Sequence, residues 1–549
     1  MSDGKVAVIG LDGACFKILG RYCDMGLMPN LKSFIEEGVS ADLISTFPPL
    51  TGPAWASFMT GKDPSNTGIA DWMSLKEFRW DKGGVVRKKQ FINSGIVQQK
   101  TVWEILTEHG KKSIVLNVPL TYPVRPVNGV VVSGFLTPSE DCEYTHPAEV
   151  KEEIKNLLGK YQINISHPSY AKSADGVASF FKDLTEMTSK RTELALHFLE
   201  TREWDFFMLV YIGIDRTQHM LWEYVSGVGG PVPGAEKMVH DYYRFLDGCI
   251  GRLLDKLGSG TPAFFVSDHG FTQNKGYFQM NRWLMDEGLI GSLDSQSRAL
   301  LNRSRFSGFF RDKLKPTVLR ILNKTGMMSL KGKLGRVMRA EDMIADALMG
   351  APDSKAALLM PFTLKIKRYD DPGEFERVRD DIIDRMRKLV DETTGLPLFD
   401  MVERSEDVYG GSRIAEMSDI IFLFSKCQYV ATADMPASAD KGLFMPPEPC
   451  HTGTHDMEGI FIARGDGIRK GLTLPALHIE DAAPTVLYRM GLEVPEDMDG
   501  KVAAGIFEDG FVNSHALVRS GASGLDVEGG LDEEEDEKVR ESLESLGYL

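Results

Sequence analysis

Short runs of apolar residues, many of them β-branched or aromatic, alternate along the chain with longer stretches of helical periodicity. Continuously apolar strands separated by helices are typical of a largely parallel sheet that helices cover on both faces. We therefore predict an α/β fold, and we expect one sheet assembled from the whole chain. The runs lie at residues 5–11, 113–117, 129–133, 206–212, 263–267, 419–424 and 459–463.

Such a sheet does not account for all 549 residues, so we expect insertions. Residues 1–290 and 346–510 are predicted to form a single core assembled from both segments. Residues 291–345 are predicted to form a basic helical insertion, and residues 511–549 an acidic C-terminal tail. Residues 303–339 within the insertion hold eleven Lys or Arg and one acid, a net charge of +10.

The basic segment has two interpretations. Its apolar residues fall at helical spacing, which predicts an amphipathic helix packed on the core as a solvated insertion. Alternatively, residues 303–339 contact anionic lipid or cover an anionic substrate.

The C-terminal segment is strongly acidic. Residues 532–544 hold eight acids against Lys538 and Arg540, which predicts a charged terminal helix or tail.

Composition excludes several classes of protein. The formal net charge of −16 has the wrong sign for a general nucleic-acid binder, so we expect no duplex binding. The six cysteines are scattered without a Cys-x-x-Cys pair, which gives no sign of a thiolate zinc site or a disulfide framework. The apolar run that starts at about residue 5 leaves no room for a signal peptide, and no run approaches the roughly 18 residues of a membrane span. We expect a soluble, cytoplasmic protein.

Acidic and histidine side chains directly follow several predicted strands. Asp12 follows the first run, Asp215 follows another with His219 four residues on, and Asp268 and His269 end a third. Open α/β sheets bind ligands at the carboxyl ends of their strands, and residues four apart share one helix face. Taken alone, Asp12 is more typical of a turn or a cap, and the spacing of Asp215 and His219 is weak evidence. The adjacent Asp268 and His269 at a strand end are a more specific signal. Together they predict a site for divalent metal ions.

Two further histidines precede the last predicted strand. His451 and His455 lie in the segment CHTGTH, and either one can supply an imidazole or simply form a hydrogen bond within a loop. Carboxylate and imidazole ligands without cysteine fit zinc, manganese or iron.

Thr51 is the candidate nucleophile. It lies in the segment FPPLTGPAW, just before a helical pattern, and Pro53 suits the first turn of a helix. Thr51 would then lie at a helix N-terminus, where free backbone N–H groups attract anions. Alone, the segment predicts an ordinary threonine cap. The nearby metal ligands favour a nucleophile, because a hydroxyl needs a metal or a base to react near neutral pH.

These segments resemble the alkaline phosphatase superfamily, and specifically its type I phosphodiesterase/nucleotide pyrophosphatase family. The resemblance covers most of residues 5–505 and implies an alkaline phosphatase-like fold with cap insertions. It rests on the segments VIGLDG, MPNLKSFIEEGV, FPPLTGPAWASFMTG, IDRTQHMLW, FFVSDHGF and GTHDMEGIFIARG.

The resemblance implies two metal ions, with zinc preferred. One ion would be held by Asp12, Thr51, Asp268 and His269. The other would be held by Asp215, His219 and His455, with His451 as the rival of His455. Thr51 would attack phosphorus to give a phospho-enzyme type intermediate.

One departure concerns the substrate. In the nucleotide pyrophosphatases an Asn after the nucleophile helix binds a phosphate oxygen, whereas Trp72 stands at that position here. Trp72 and Lys275 are the candidate substrate-binding residues. Monoesterases usually add a cation for the extra phosphate charge. The sequence gives no clear candidate for it, although Arg216 and Lys275 lie close in sequence to the ligands.

We therefore predict a two-metal hydrolase of a small phosphate ester, with phosphodiesters or nucleotide pyrophosphates as substrates. The first alternative is a phosphomonoesterase or phosphotransferase that uses the same site. The second is a non-catalytic protein on this fold that binds anions or a membrane surface.

Overall fold

The structure is a computed structural model that describes residues 4–81, 84–290, 354–432, 442–522, 524 and 530–546. The predicted basic insertion at residues 291–345, with its charged stretch at 303–339, lies outside the described residues. Within the described ranges, none of the helices combines the length and the apolar character that a membrane span requires.

The strands, numbered along the chain, are β1 (Val6–Leu11), β2 (Val39–Ile44), β3 (Met73–Asp81), β4 (Gly84–Phe91), β5 (Ser113–Val118), β6 (Gly129–Ser133), β7 (Thr145–His146), β8 (Phe206–Tyr211), β9 (Ala263–Val266), β10 (Gly270–Gln273), β11 (Gly276–Gln279), β12 (Ala356–Met360), β13 (Thr363–Ile366), β14 (Phe399–Arg404), β15 (Ile420–Phe424), β16 (Tyr429–Thr432), β17 (Phe444–Met445), β18 (Gly453–Asp456), β19 (Glu458–Arg464), β20 (Leu472–Thr473), β21 (Leu477–His478), β22 (Val494–Pro495) and β23 (Arg519–Ser520).

The helices are α1 (Phe16–Asp24), α2 (Pro29–Glu37), α3 (Thr51–Thr60), α4 (Pro64–Thr67), α5 (Val102–Glu108), α6 (Val150–Leu158), α7 (Ala174–Thr201), α8 (Gly213–Val225), α9 (Ala235–Leu257), α10 (Met280–Asp286), α11 (Pro372–Arg387), α12 (Ser405–Val408), α13 (Ala482–Arg489), α14 (Asp509–Ser514) and α15 (Glu533–Ser545). Short 3-10 helices span Ser94–Ile96, His167–Ser169, Ile414–Glu416, Ser425–Cys427, Ile479–Asp481 and Ala504–Ile506.

A ten-stranded sheet forms the centre of the molecule. Its strand order is β20-β2-β19-β9-β1-β8-β5-β6-β7, and β21 also pairs with β2. The strands β9, β1, β8, β5 and β6 pair in parallel, whereas β19 runs antiparallel to both of its neighbours. Every residue of β1, β5, β8 and β9 is buried, as their continuously apolar sequences predict. The predicted α/β fold with a largely parallel sheet is confirmed.

Helices cover both faces of this sheet. Successive side chains of a strand point to opposite faces. Phe264 and Val266 of β9 line a small apolar cavity with Phe58 of α3. The intervening Phe265 packs against Phe34 of α2, with ring centroids 4.8 Å apart. Helix α3 therefore lies on one face and α2 on the other.

A second sheet lies apart from the central one. Strands β12, β13, β15 and β14 form a four-stranded antiparallel sheet in that order, and α11 packs on it through Ile382 and Met386. The run predicted at residues 419–424 forms β15 and pairs here. Our expectation that it joins the central sheet is wrong, because a fully apolar run predicts a buried strand but does not specify its partners.

The smaller sheets connect the second sheet to the central one. Strand β11 lies between β16 and β17, and β10 pairs antiparallel with β18. The remaining pairs are β3 with β4 and β22 with β23.

The acidic C-terminal segment is a helix docked on the core. Val539, Leu543 and Leu546 are fully buried in the main apolar cluster. The hydroxyl of Tyr122 donates to a Glu535 carboxylate oxygen, and the Phe91 N–H donates to Asp536 Oδ1 at 3.1 Å. Of the two forms predicted for residues 532–544, the charged terminal helix is the one observed over Glu533–Ser545.

Truncating the buried face of α15 tests this docking. We expect Leu543→Ala to weaken the docked helix by about 2–5 kcal/mol, because it removes a fully buried leucine side chain. Amide hydrogen exchange within α15 should become faster by the corresponding factor. The control is Glu537→Ala, at an exposed position of the same helix. Equal exchange in the two variants would contradict the docking.

Candidate active site

Three neighbouring strands bring three aspartates to one edge of the sheet. Leu11 at the end of β1 pairs with Tyr211 at the end of β8, and Gly10 pairs with Val266 at the end of β9. The residues that follow these parallel strands therefore meet. They include Asp12, Asp215 and Asp268, each with no exposed surface.

Asp12, Asp268 and His269 form the first metal group. One ligand atom from each lies within 4.8 Å of the others. His269 Nε2 lies 3.2 Å from Asp268 Oδ2 and 3.8 Å from Asp12 Oδ1. Thr51 adjoins the group, since its Oγ1 lies 3.2 Å from His269 Nε2.

Hydrogen bonds orient the two carboxylates of the first metal group. Trp55 Nε1 donates to Asp12 Oδ2 at 3.1 Å, and the Gly13 N–H donates to Asp268 Oδ1 at 3.1 Å. The other oxygens, Asp12 Oδ1 and Asp268 Oδ2, are buried and have no hydrogen-bond partner among the described residues. A buried carboxylate oxygen that accepts no hydrogen bond is well suited to bind a cation.

Asp215, His219 and His455 form the second metal group, in which ligand atoms again lie within 4.8 Å of one another. Asp215 Oδ1 lies 3.3 Å from His219 Nε2 and 3.4 Å from His455 Nε2. The two Nε2 atoms are 3.0 Å apart. Of the two rival histidines, the structure places His455 here. His451 lies instead against His167, with their Nε2 atoms 3.3 Å apart.

Backbone carbonyls fix the ring orientation of all three histidines in these groups. The Nδ1 atoms of His219, His269 and His455 lie 3.1, 3.0 and 2.8 Å from the carbonyl oxygens of Gly453, Gly270 and Pro49. A carbonyl only accepts, so each Nδ1 carries the proton and each Nε2 presents its lone pair. Metal-binding histidines commonly donate their other ring N–H to a carbonyl or a carboxylate in this way.

Thr51 is the first residue of helix α3, as predicted, and only 1% of its surface is exposed. The free N–H groups of the first helical turn therefore lie beside the Thr51 hydroxyl. The start of the helix is closely packed, since a Cβ on Gly52 would lie 2.3 Å from Ile92 Cδ1 and would require that side chain to move.

The charges of the site explain its pKa shifts. Burial, followed by the charge of Asp215, raises the pKa of Asp12 to about 8. Burial and Asp12 raise the pKa of Asp268 well above its usual range. Burial would raise the pKa of Asp215, but neighbouring positive charge, including that of the Arg216 guanidinium, brings it well below its usual range.

Burial acts in the opposite direction on the imidazoles. It lowers the pKa of His219 to about 4, and it lowers the pKa of His269 well below its usual range. Both rings are therefore neutral near pH 7, which is the form that binds metal. Ionising all three aspartates together requires added positive charge.

Arg216 supplies part of that charge, but its guanidinium is already engaged. Its Nη1 donates to Asp215 Oδ2 at 2.6 Å, and its Nε donates to Asn164 Oδ1 at 3.2 Å. The guanidinium also lies 4.7 Å from the centre of the Phe135 ring.

The two candidate substrate-binding residues have different positions. Trp72 is buried beside the nucleophile helix, since a Cβ on Gly52 would lie 3.6 Å from its ring, and it packs edge-on against Phe135 at 5.9 Å. Lys275 is exposed, and its Nζ lies over Tyr429 at 5.9 Å beside the second sheet. The structure does not bring Lys275 to the metal groups. Lys275 lies close to His269 in sequence, but strand β10 carries the chain away from the metal groups before Lys275 is reached.

Sequence reasoning missed three residues of this region. Trp55 holds Asp12, and Arg191 is a fully buried cation whose Nη1 donates to the Val210 carbonyl at 2.7 Å. His167 lies against His451. His167 and Arg191 occur in segments without a recognisable motif, so no sequence signal identifies them.

The sequence of this chain also matches a known protein family. The profile described as type I phosphodiesterase/nucleotide pyrophosphatase matches residues 6–458. The chain belongs to this family. The predicted family and hydrolase activity are confirmed, and the protein is a hydrolase of phosphodiesterase/nucleotide pyrophosphatase type. The family is metal-dependent, and the two metal groups are this chain's candidate ligands.

Solved structures of similar fold come from distant relatives. Human ectonucleotide pyrophosphatase/phosphodiesterase 5 is 15% identical, with 91% of this chain and 98% of that chain covered and a TM-score of 0.49. Phosphonoacetate hydrolase from Sinorhizobium meliloti 1021, in complex with phosphonoacetate, is 15% identical, with 87% and 94% covered and a TM-score of 0.52. The likeness to the second concerns the fold alone. Among curated proteins, no sequence matches the chain.

Proposed function

We propose that this hydrolase cleaves phosphodiesters or nucleotide pyrophosphates, with Thr51 as nucleophile and two divalent metal ions as cofactors. The observation that carries the proposal is the position of Thr51 Oγ1, 3.2 Å from His269 Nε2 at the start of α3. A hydroxyl beside buried carboxylates and imidazoles suits nucleophilic attack on phosphorus.

The residues present fit two divalent ions. The first metal group together with Thr51 would hold one ion, and the second metal group would hold the other. The orphaned oxygens of Asp12 and Asp268 support the first site, and the convergence of two imidazoles on Asp215 Oδ1 supports the second. When bound, the ions would neutralise the phosphate charge and lower the pKa of the Thr51 hydroxyl. Zinc suits this ligand set, and manganese or iron also accept it.

The chain's own groups then carry out two displacements. In the first, the bond from Thr51 Oγ1 to phosphorus forms and the bond from phosphorus to the leaving oxygen breaks, with net transfer of the Thr51 hydroxyl proton through solvent to the leaving oxygen. In the second, the oxygen of a water molecule bonds to phosphorus, the bond from phosphorus to Thr51 Oγ1 breaks, and a proton of that water returns to Thr51 Oγ1. N–H groups at the start of α3 stabilise the negative charge on the phosphoryl oxygens.

The surroundings of Thr51 support diesters over monoesters. A monoester carries one more negative charge, and an added cation usually compensates it. Arg216 is engaged by Asp215 and Asn164, and Lys275 lies elsewhere. The rings of Trp72 and Phe135, buried beside the nucleophile helix, add no positive charge there. This suits the single negative charge of a diester.

A substrate panel tests this preference. With the zinc-loaded protein, we expect kcat/KM for bis(4-nitrophenyl) phosphate to exceed that for 4-nitrophenyl phosphate by at least about tenfold, or about 1.4 kcal/mol of transition-state stabilisation. The 4-nitrophenyl ester of thymidine monophosphate, compared with the simple diester, reports any contribution of a nucleoside. A clear preference for the monoester would replace the proposal with the phosphomonoesterase or phosphotransferase alternative.

A further inference from the structure

A third group of histidines adjoins the second metal group. One ring nitrogen each from His167, His219 and His451 lies within 4.8 Å of the others, and all three residues are buried. His167 lies in a 3-10 helix between α6 and α7, and His451 lies in the loop before β18. The proposed two-metal chemistry uses neither His167 nor His451.

The separation of the two rings is that of ligands on one ion. His167 Nε2 and His451 Nε2 are 3.3 Å apart. Two imidazole nitrogens bound to one tetrahedral zinc ion lie roughly 3.3–3.4 Å apart, because each Zn–N bond is about 2.0–2.1 Å long.

A hydrogen bond holds the loop that carries His451. Asn274 Nδ2 donates to the backbone carbonyl of His451 at 3.0 Å. On the side of the ring away from His167, a Glu448 carboxylate oxygen lies 3.9 Å from His451 Nδ1, which is beyond hydrogen-bond distance.

We propose that His167 and His451 hold a third divalent metal ion, of the kind that prefers imidazole, such as zinc. The ring of His219 borders this ion. Because His219 Nε2 already faces Asp215 and His455, the third ion takes its firm ligands from His167 and His451 and completes its coordination with water. With fewer protein ligands, it binds more weakly than the other two. Calling this ion the third one rests on the proposed function, which assigns the other two ions. Metal analysis detects the ion whether or not the protein turns over a substrate.

The ion would join two loops that are far apart in sequence. The loop with His167 and the loop with His451 would both be fixed against helix α8, which carries His219. The site would therefore stabilise the wall beside the second metal group.

Metal analysis of the full chain at saturating micromolar zinc tests the proposal. We expect about three ions per chain in the wild type and about two in each of His167→Gln and His451→Gln. Glutamine can still hydrogen-bond in place of the ring but is a poor zinc ligand. The control is His109→Gln, at an exposed position at the end of α5, which should keep the wild-type content. Unchanged zinc in both His167→Gln and His451→Gln would overturn the proposal and leave a hydrogen-bonded histidine pair.

Further variants separate this site from the proposed active site. The variant His455→Gln should lose a different ion, so the double variant with His167→Gln should retain about one. Thr51→Ala should lose turnover and keep the third ion, so failure of the proposed function and failure of this inference give different results. If a variant misfolds, anomalous diffraction at the zinc edge from wild-type crystals decides the matter. A peak between His167 and His451 is expected, and its absence at saturating zinc would overturn the proposal.

Discussion

Replacing Thr51 with alanine is expected to reduce turnover of an aryl phosphodiester by about a thousandfold or more, while most of the bound metal remains. The substitution removes the oxygen that forms the bond to phosphorus. The carboxylates and imidazoles of both metal groups stay in place, because other residues hold them. Steady-state kinetics and metal analysis of the same preparation measure the two effects.

The matched control for this prediction is Thr60→Ala. Thr60 is the last residue of the same helix, and its hydroxyl donates to the Ala56 carbonyl at 2.7 Å, away from the metal groups. We expect its turnover to stay close to that of the wild type. Thr51→Ser should retain part of the activity, since it keeps a hydroxyl at this position. Undiminished turnover in Thr51→Ala would exclude Thr51 as the nucleophile.

Removing the metal ions with a chelator is expected to abolish turnover and to lower the temperature of thermal unfolding. The ions are expected to bind the folded chain far better than the unfolded one, and such ligands stabilise the fold. Without them, the buried carboxylates repel one another, and burial and Asp215 raise the pKa of Asp12 to about 8.

The raised pKa of Asp12 makes the stability of the metal-free protein depend on pH. An unfolded aspartate titrates near pH 3.9, so between pH 6.5 and 8 the folded, metal-free chain holds a proton on Asp12 that the unfolded chain has lost. Stability must therefore fall as pH rises through this window. The buried His219, whose pKa is lowered from 6.5 to about 4, acts in the opposite direction, because the unfolded ring still carries part of a proton at pH 6.5 and loses it by pH 8. Its contribution is confined to the lower end of this window, whereas that of Asp12 extends to pH 8.

Calorimetry at the two ends of this window measures the effect. We expect the chelated protein to unfold at a lower temperature at pH 8 than at pH 6.5, and the zinc-loaded protein to show a smaller difference. In the variant Asp12→Asn the titrating carboxyl group is absent. The unfolding temperature of the chelated variant should therefore differ less between pH 6.5 and pH 8. Stability that rises with pH in the chelated protein would show that Asp12 is ionised in the fold and would contradict the prediction.

Most of the candidate site could be predicted from the sequence, because its residues directly follow strands or begin a helix. Asp12, Asp215 and Asp268 each come after a buried apolar run, and parallel strands end at a common edge. Thr51 precedes a helix whose start Pro53 marks. The choice of His455 over His451 depended on the family resemblance, and the structure places His455 beside Asp215.

The remaining features depend on long-range packing that a local pattern does not encode. The apolar run of β15 predicts a buried strand, but only its pairing with β13 and β14 places it in the second sheet. His167 lies in an irregular segment, and its proximity to His451 comes from the way two distant loops meet. The cytoplasmic location, and the contact of residues 303–339 with anionic lipid, stay predictions from the sequence.

The sheet order also affects how the chain can fold during synthesis. Strand β1 pairs with β8 and β9, and the contact between Gly13 and Asp268 spans 255 positions of sequence. The contact between His219 and His455 spans 236 positions. A nascent chain therefore cannot complete the first metal group before residue 269 has emerged, nor the second before residue 455. Uptake of the second ion would thus report native topology as far as residue 455, and a product truncated before that residue would be distinguishable by its lower metal content.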